Sequence, residues 1–312
     1  MKTFSTPAVL ARLSPLALAT ALLLPLSASA HMTWLLPNTA NVTGRDGVVS
    51  VDAAVSEDLF NFERALKLDT LRITGPNGQS LDADNRSSAR HRESFDVKLP
   101  QDGTYRISNV SQSLMGTYKQ GTETKRFRST PATFSKDVPA DAEITSLTLM
   151  TNRQQTFVSK EEPGKVQFAP EGQGLELLPL GPVTDLSHGD KTRFRLLLDG
   201  KPAADVAVKV LRDGNRYRYK LGEVSLKTDA QGEFTVSWAE PGRYWVGASA
   251  GANAGGPAGP AGQGGPGAQG GAAGPGAGGN AGAPAAAGAN RGTRDAPLQR
   301  AAVSATFEVL PK

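Results

Sequence analysis

Short runs rich in β-branched and aromatic residues recur along the N-terminal half, at 48–55, 71–74, 95–99 and 104–110, each bounded by Gly, Asn, Asp or Pro. Runs of this length between turn residues predict strands of a sandwich. Gly75-Pro76-Asn77-Gly78 ends the second run with an Asn-Gly pair suited to a tight hairpin, and Gln101-Asp102-Gly103 makes a turn before the last. Helical periodicity is confined to a short stretch, 59–66, where one small helix is expected. The segment 31–165 therefore reads as an all-β sandwich domain.

The pattern loosens at Glu161-Glu162-Pro163-Gly164 and again at Glu171-Gly172-Gln173-Gly174, a turn-rich connector placed as a domain boundary would be. A second β pattern fills 172–312. Residues 192–198 alternate, Asp199-Gly200-Lys201-Pro202 turns, and 206–211 returns. Then Thr228-Asp229-Ala230-Gln231-Gly232 leads into 233–238, and Pro241-Gly242-Arg243 into 244–248. The Gly-Lys-Pro, Thr-Asp-x-x-Gly-x-Phe and Pro-Gly-x-Tyr signatures resemble prealbumin-like and immunoglobulin-like modules. Within this domain, 251–292 is almost all Gly, Ala, Pro, Asn and Gln without a strict glycine period, which excludes collagen and predicts a disordered loop. A strand at 302–309 then returns to the domain. The expected architecture is two β-sandwiches, with a low-complexity insertion in the second.

The N-terminus changes the setting. Lys2 and Arg12 precede an apolar run at 13–26 that ends in Ser-Ala-Ser-Ala, the design of a signal peptide over residues 1–30. The run is shorter than the roughly 20 residues a span requires, so no membrane span is expected after cleavage. The expected location is the periplasm or beyond. The sequence holds no cysteine, so packing alone must hold the domains. The formal charge is +4, two units of which leave with Lys2 and Arg12, and the densest basic group, Lys125-Arg126-Phe127-Arg128, is short. Nucleic acid is thus not an expected partner, and that group reads as a charged sheet edge.

Cleavage after Ala30 leaves His31 first, with a free α-amine beside its imidazole. Those two nitrogens chelate one metal ion, and a second histidine completes a three-nitrogen set suited to copper or nickel. Of the other two histidines, His91 precedes a strand of the same domain and is the expected second ligand, while His188 reads as a surface turn of the second. Glu93, Asp82 and Asp84 are the nearby carboxylates available to orient an imidazole. Cleavage after Ser29 instead puts His31 second, where amine, amide and imidazole form a square-planar set. Met32 offers a thioether or core packing.

The opening Ala-His-Met-Thr-Trp-Leu-Leu-Pro, with Leu-Leu-Asp-Gly-Lys-Pro-Ala-Ala-Asp-Val in the second domain, resembles a family of exported proteins of unknown function once described as periplasmic components of nickel or cobalt uptake. The resemblance implies a metal-handling role, with His31 matching the family's near-terminal histidine and an envelope transport component as a partner. The common enzyme signatures give no lead: there is no His-Glu-x-x-His pair and no phosphate-cradling loop. The expectation is a non-enzymatic protein binding one divalent nickel, cobalt or copper ion. Two alternatives stand beside it. One is an envelope interaction or adhesion protein. The other is a copper polysaccharide monooxygenase, of whose N-terminal histidine brace His31 would be the first half.

Overall fold

The computed structural model describes residues 31–312 except 69, 165, 167, 219–221 and 252–290. The expected signal peptide and nearly all of the low-complexity tract lie outside the described residues.

The N-terminal half opens with β1 (Met32–Pro37), β2 (Asn41–Val42), β3 (Val48–Ser56) and β4 (Arg64–Ala65). It continues through β5 (Leu71–Thr74), β6 (Ser80–Leu81), β7 (Asp84–Ser88) and β8 (Glu93–Lys98). Two strands of 18 residues each follow, β9 (Gly103–Gln120) and β11 (Glu143–Lys160), separated by β10 (Glu123–Ser129) and the single-turn helix α1 (Phe134–Asp137). One sheet has the order β1-β3-β8-β7, with β4 also on β3. Its inward residues Leu35, Val49, Val51, Phe95 and Val97 pack against Ile73, Tyr105, Ile107 and Val158 of the facing sheet. That is a sandwich core built from period-two alternation.

The C-terminal half contributes β12 (Leu175–Pro179), β13 (Leu186–Ser187), β14 (Lys191–Leu198), β15 (Lys201–Pro202) and β16 (Ala207–Arg212). It ends with β17 (Val224–Lys227), β18 (Glu233–Ser237), β19 (Gly242–Gly251) and β20 (Leu298–Leu310). The sheet of β12, β14, β15 and β18 closes over β16, β19 and β20 through Phe194, Trp238, Val246 and Phe307, among others. Asp199 and Gly200, at φ 49° and 76°, both adopt the left-handed conformation that a two-residue type I′ turn demands, and they join β14 to β15 as the sequence predicts. The protein is thus all-β, built as two sandwiches.

The two halves share a sheet. β20 pairs antiparallel with β19, as expected, and parallel with β11 on its other edge, from Thr148–Leu298 to Thr156–Thr306. One sheet therefore runs β17-β16-β19-β20-β11-β9-β5-β6. The turn-rich connector is likewise tied down: Glu171 meets Arg72 at 3.1 Å, Arg106 at 2.9 Å and Arg153 at 2.9 Å, and the Glu176 carboxylate accepts the backbone N–H groups of Glu171 and Gly172. Burial alone would raise the Glu171 pKa, but Arg153, Arg106 and Arg72 together hold it below the usual glutamate value.

The helix expected at 59–66 is absent. Phe60 sits at φ 62°, a left-handed conformation that breaks helical continuity, and Arg64–Ala65 form β4 against Ala54 and Val55 instead. The apolar residues that suggested a helix belong to different clusters: Leu59 packs with Trp34, and Leu66 enters the first sandwich core.

Candidate metal centre

Everything that positions His31 follows from β1, which is apolar on both faces. Leu35 points into the first sandwich, whereas Met32, Trp34 and Leu36 pack with Ala54, Leu59, Leu211 and Trp245 from both halves. Met32 is thus core packing. The Trp34 Nε1–H donates to Ser56 Oγ at 3.0 Å within this core. The strand's own carbonyls are held from the other half: Thr33 O accepts from Ser304 Oγ at 2.8 Å and from Trp245 Nε1 at 3.1 Å, and Leu35 O accepts from Thr306 Oγ1. A strand fixed at both faces and along its backbone holds the residue just ahead of it in place.

The antiparallel register of β1 and β3 pairs Met32 with Ser56, so His31 falls opposite Glu57. Their side chains meet, with His31 Nε2 3.3 Å from Glu57 Oε1. The imidazole side chain is 32% exposed, open enough to reach an ion and anchored enough to keep its direction. With Nε2 turned to the carboxylate, Nδ1 is the ring nitrogen left for a metal, the one that chelates together with an α-amine on the same residue.

Glu57 is held in turn by the loop that follows it. The Glu63 carboxylate accepts the N–H of Glu57 at 3.0 Å and of Asp58 at 3.3 Å. Phe60 and Phe62 pack edge-on against Trp34 at 5.5 and 5.4 Å between ring centroids, and the Arg92 guanidinium lies 5.1 Å over the Phe62 ring. His91 reaches the same loop from the β7–β8 turn, its Nδ1 2.9 Å from the Glu63 carbonyl oxygen. The structure thus brings His31 and His91 to one loop, 57–63, at separate points of it. Among the described residues no group of three or more His, Cys, Asp or Glu side chains is arranged to hold a metal ion.

The other expected residues disperse. His188 is exposed in a turn after β13. Glu93 accepts from Ser88 Oγ at 2.5 Å, and Asp84 pairs with Lys98 at 3.0 Å. No described contact brings either of them, or Asp82, to an imidazole. Lys125, Arg126 and Arg128 lie on β10, which among the described residues pairs with β9 alone and forms a charged edge. Glu57 was missed in the sequence because its partnership with His31 depends on strand register. The signal that would have found it is the antiparallel offset of β1 and β3.

No helix of the described residues is long and apolar enough to cross a membrane. No curated protein matches the sequence. Among solved structures, the chain is similar to a DUF4785 family protein of Legionella pneumophila at 9% identity, over 72% of this chain and 52% of that one, with a TM-score of 0.24. It spans about half the length of that protein. It is also similar to the D0-D1 domain of Intimin, at 14% identity over 70% and 90% of the two chains and a TM-score of 0.19, and to E. coli alpha-2-macroglobulin, at 15% identity over 72% and 13% and a TM-score of 0.21. The sequence model of one family covers residues 28–251, most of the chain including β1 and the His31 site. The chain belongs to that family, described as Domain of unknown function (DUF4198).

Proposed function

We propose that this is an exported metal-handling protein that binds one divalent ion of nickel, cobalt or copper through His31. The observation that carries the reading is the contact between His31 Nε2 and Glu57, a carboxylate behind an imidazole, which fixes the ring and leaves Nδ1 for the metal. Cleavage after Ala30 supplies the second nitrogen as the α-amine of the same residue, and the ion then sits on a strand braced by both sandwiches. Glu57 sets the orientation of the ring, a role the loop 57–63 supports by holding the Glu57 backbone. The exposed position of the site fits the handing of an ion to an envelope transport component.

The test begins with intact mass of the exported protein, to establish its first residue, followed by Cu(II) and Ni(II) titration. A chain beginning at His31 is expected to bind one equivalent, and a form carrying a neutral extension of several residues ahead of His31 to lose that binding. Glu57→Gln keeps the shape of the side chain and is expected to weaken binding about tenfold. Equal binding by the processed and extended forms, or binding by neither, overturns the reading.

A further inference from the structure

Strand for strand, the second half repeats the first. In the first, β3 carries β1, β4 and β8 as antiparallel partners, and in the second β14 carries β12, β15 and β18 in the same way. The facing sheets match too. β6-β5-β9-β11 and β17-β16-β19-β20 are antiparallel throughout, and a two-residue strand, β2 or β13, adds in parallel to the end of the last. The matching strands come in the same order along the chain; of the first half's elements, only β7, β10 and α1 lack a counterpart among the described residues.

The agreement reaches single residues. The Tyr105 and Tyr244 hydroxyls donate to the carbonyl oxygens of Gln101 and Glu240, both at 2.7 Å, and each accepts the N–H of that same residue. Gly103 and Gly242, two positions before each tyrosine, take φ 121° and 141°. This is the tyrosine corner of an immunoglobulin-like sandwich, made twice. Away from the corners, the cross-strand row Pro37–Val51–Phe95 matches Pro179–Phe194–Phe234, and Ile73–Ile107 matches Val210–Val246. Leu35-Leu36-Pro37 of β1 thus falls on Leu177-Leu178-Pro179 of β12.

The halves also meet symmetrically. Their last strands, β11 and β20, run parallel, and the two cores lie on opposite faces of the shared sheet, with Val158 in the first core and its neighbour Phe157 in the second. Exchanging the halves keeps the strand direction and turns the sheet over, which is a half-turn about an axis along the seam. The bonds across it are reciprocal. Ser304 and Thr306 of β20 hold carbonyls of β1, while Arg153 and Gln155 of β11 hold the Leu175 and Leu177 carbonyls of β12, at 3.3 and 2.7 Å.

We infer that the chain is two copies of one module, joined as a symmetric dimer of that module would be, with the second copy acting as the built-in partner that closes the β11 edge. The positions matching His31 and Glu57 are Gln173 and Gly200, so, on the metal reading proposed above, the centre has no twin in the second copy.

Two constructions of the full chain test this, and neither involves a metal ion. Tyr105 faces Val158 as Tyr244 faces Phe307, so Lys312 corresponds to Pro163, and His31 to Gln173. A circular permutant opened after Glu162, with a Gly/Ser linker the length of 164–172 from Lys312 to His31, is expected to unfold in one transition near the wild-type midpoint. Halving the linker is expected to lower that midpoint, because the linker must run back along the length of the sandwich. Separately, residues 239–242 transplanted onto 100–103 are expected to keep the midpoint near the wild type, with Tyr105→Phe still lowering it; the same four residues in reverse order are expected to lower it by themselves. The inference is overturned if the full-length-linker permutant does not fold, if the half-length linker serves as well, or if the transplant does no better than its reversed form.

Discussion

Glu171 shows what one side chain does in this molecule. Three arginines converge on a carboxylate whose side chain is only 14% exposed, and two of them, Arg106 and Arg153, are themselves buried. Removing the negative charge strands cationic groups in a low-dielectric joint, so Glu171→Gln is expected to destabilise the fold by about 3 kcal/mol in denaturant unfolding. The pH dependence follows from the lowered pKa. The contribution of Glu171 is fully present above about pH 4.5, the ordinary glutamate value, and is lost as pH falls through the lower folded value. A wild-type stability advantage over Glu171→Gln that did not shrink on acidification below pH 4.5 would contradict this assignment. At this scale the sequence was partly legible. His31 stood out by its position after the expected cleavage site, whereas nothing in the sequence singles out Glu57 or the ion-pair role of Glu171, because their partners lie on other strands.

Elements were more legible than contacts. The Asp199-Gly200 turn follows from backbone chemistry alone and closes its hairpin as expected, with Leu198 opposite Lys201; at Asn77-Gly78 the hairpin also forms, with Thr74 opposite Ser80, but only Gly78 takes a positive φ, 79°, and a longer loop, 75–79, closes it. The failure at 59–66 has the opposite cause. Apolar residues at helix-like spacing there serve two separate cores, and only tertiary packing reveals which. β1 is the element on which most depends, because its two faces serve different cores. Trp34, fully buried, joins them beside the His31 site, so Trp34→Ala is expected to cost about 3–5 kcal/mol and to lower the midpoint of chemical unfolding. A midpoint close to that of the wild type would mean that this interface is dispensable.

The molecule as a whole is two sandwiches joined through a shared sheet. The parallel seam of β11 and β20, the β1 backbone bonds to Ser304 and Thr306, and the Glu171 cluster all cross between the halves. Calorimetry is therefore expected to show a single unfolding transition; two resolved transitions would show the seam to be weak. The sequence marked a boundary near 161–174, where the composition does change, but it carried no sign of the seam. Parallel pairing joins residues 150 positions apart, and neither strand's alternation names its neighbour.

That seam also bears on how the chain is made. A ribosome releases β11 well before β20, with the whole second half and residues 252–297 still to come. During that interval the edge of β11 that will receive β20 displays open backbone donors and acceptors, the kind of edge on which nascent chains associate wrongly. The length between β19 and β20 adds little to the cost of closing the seam, since loop entropy grows only with the logarithm of length. What it sets is timing, and β20, made after every other described strand, is the one that covers the open edge of β11.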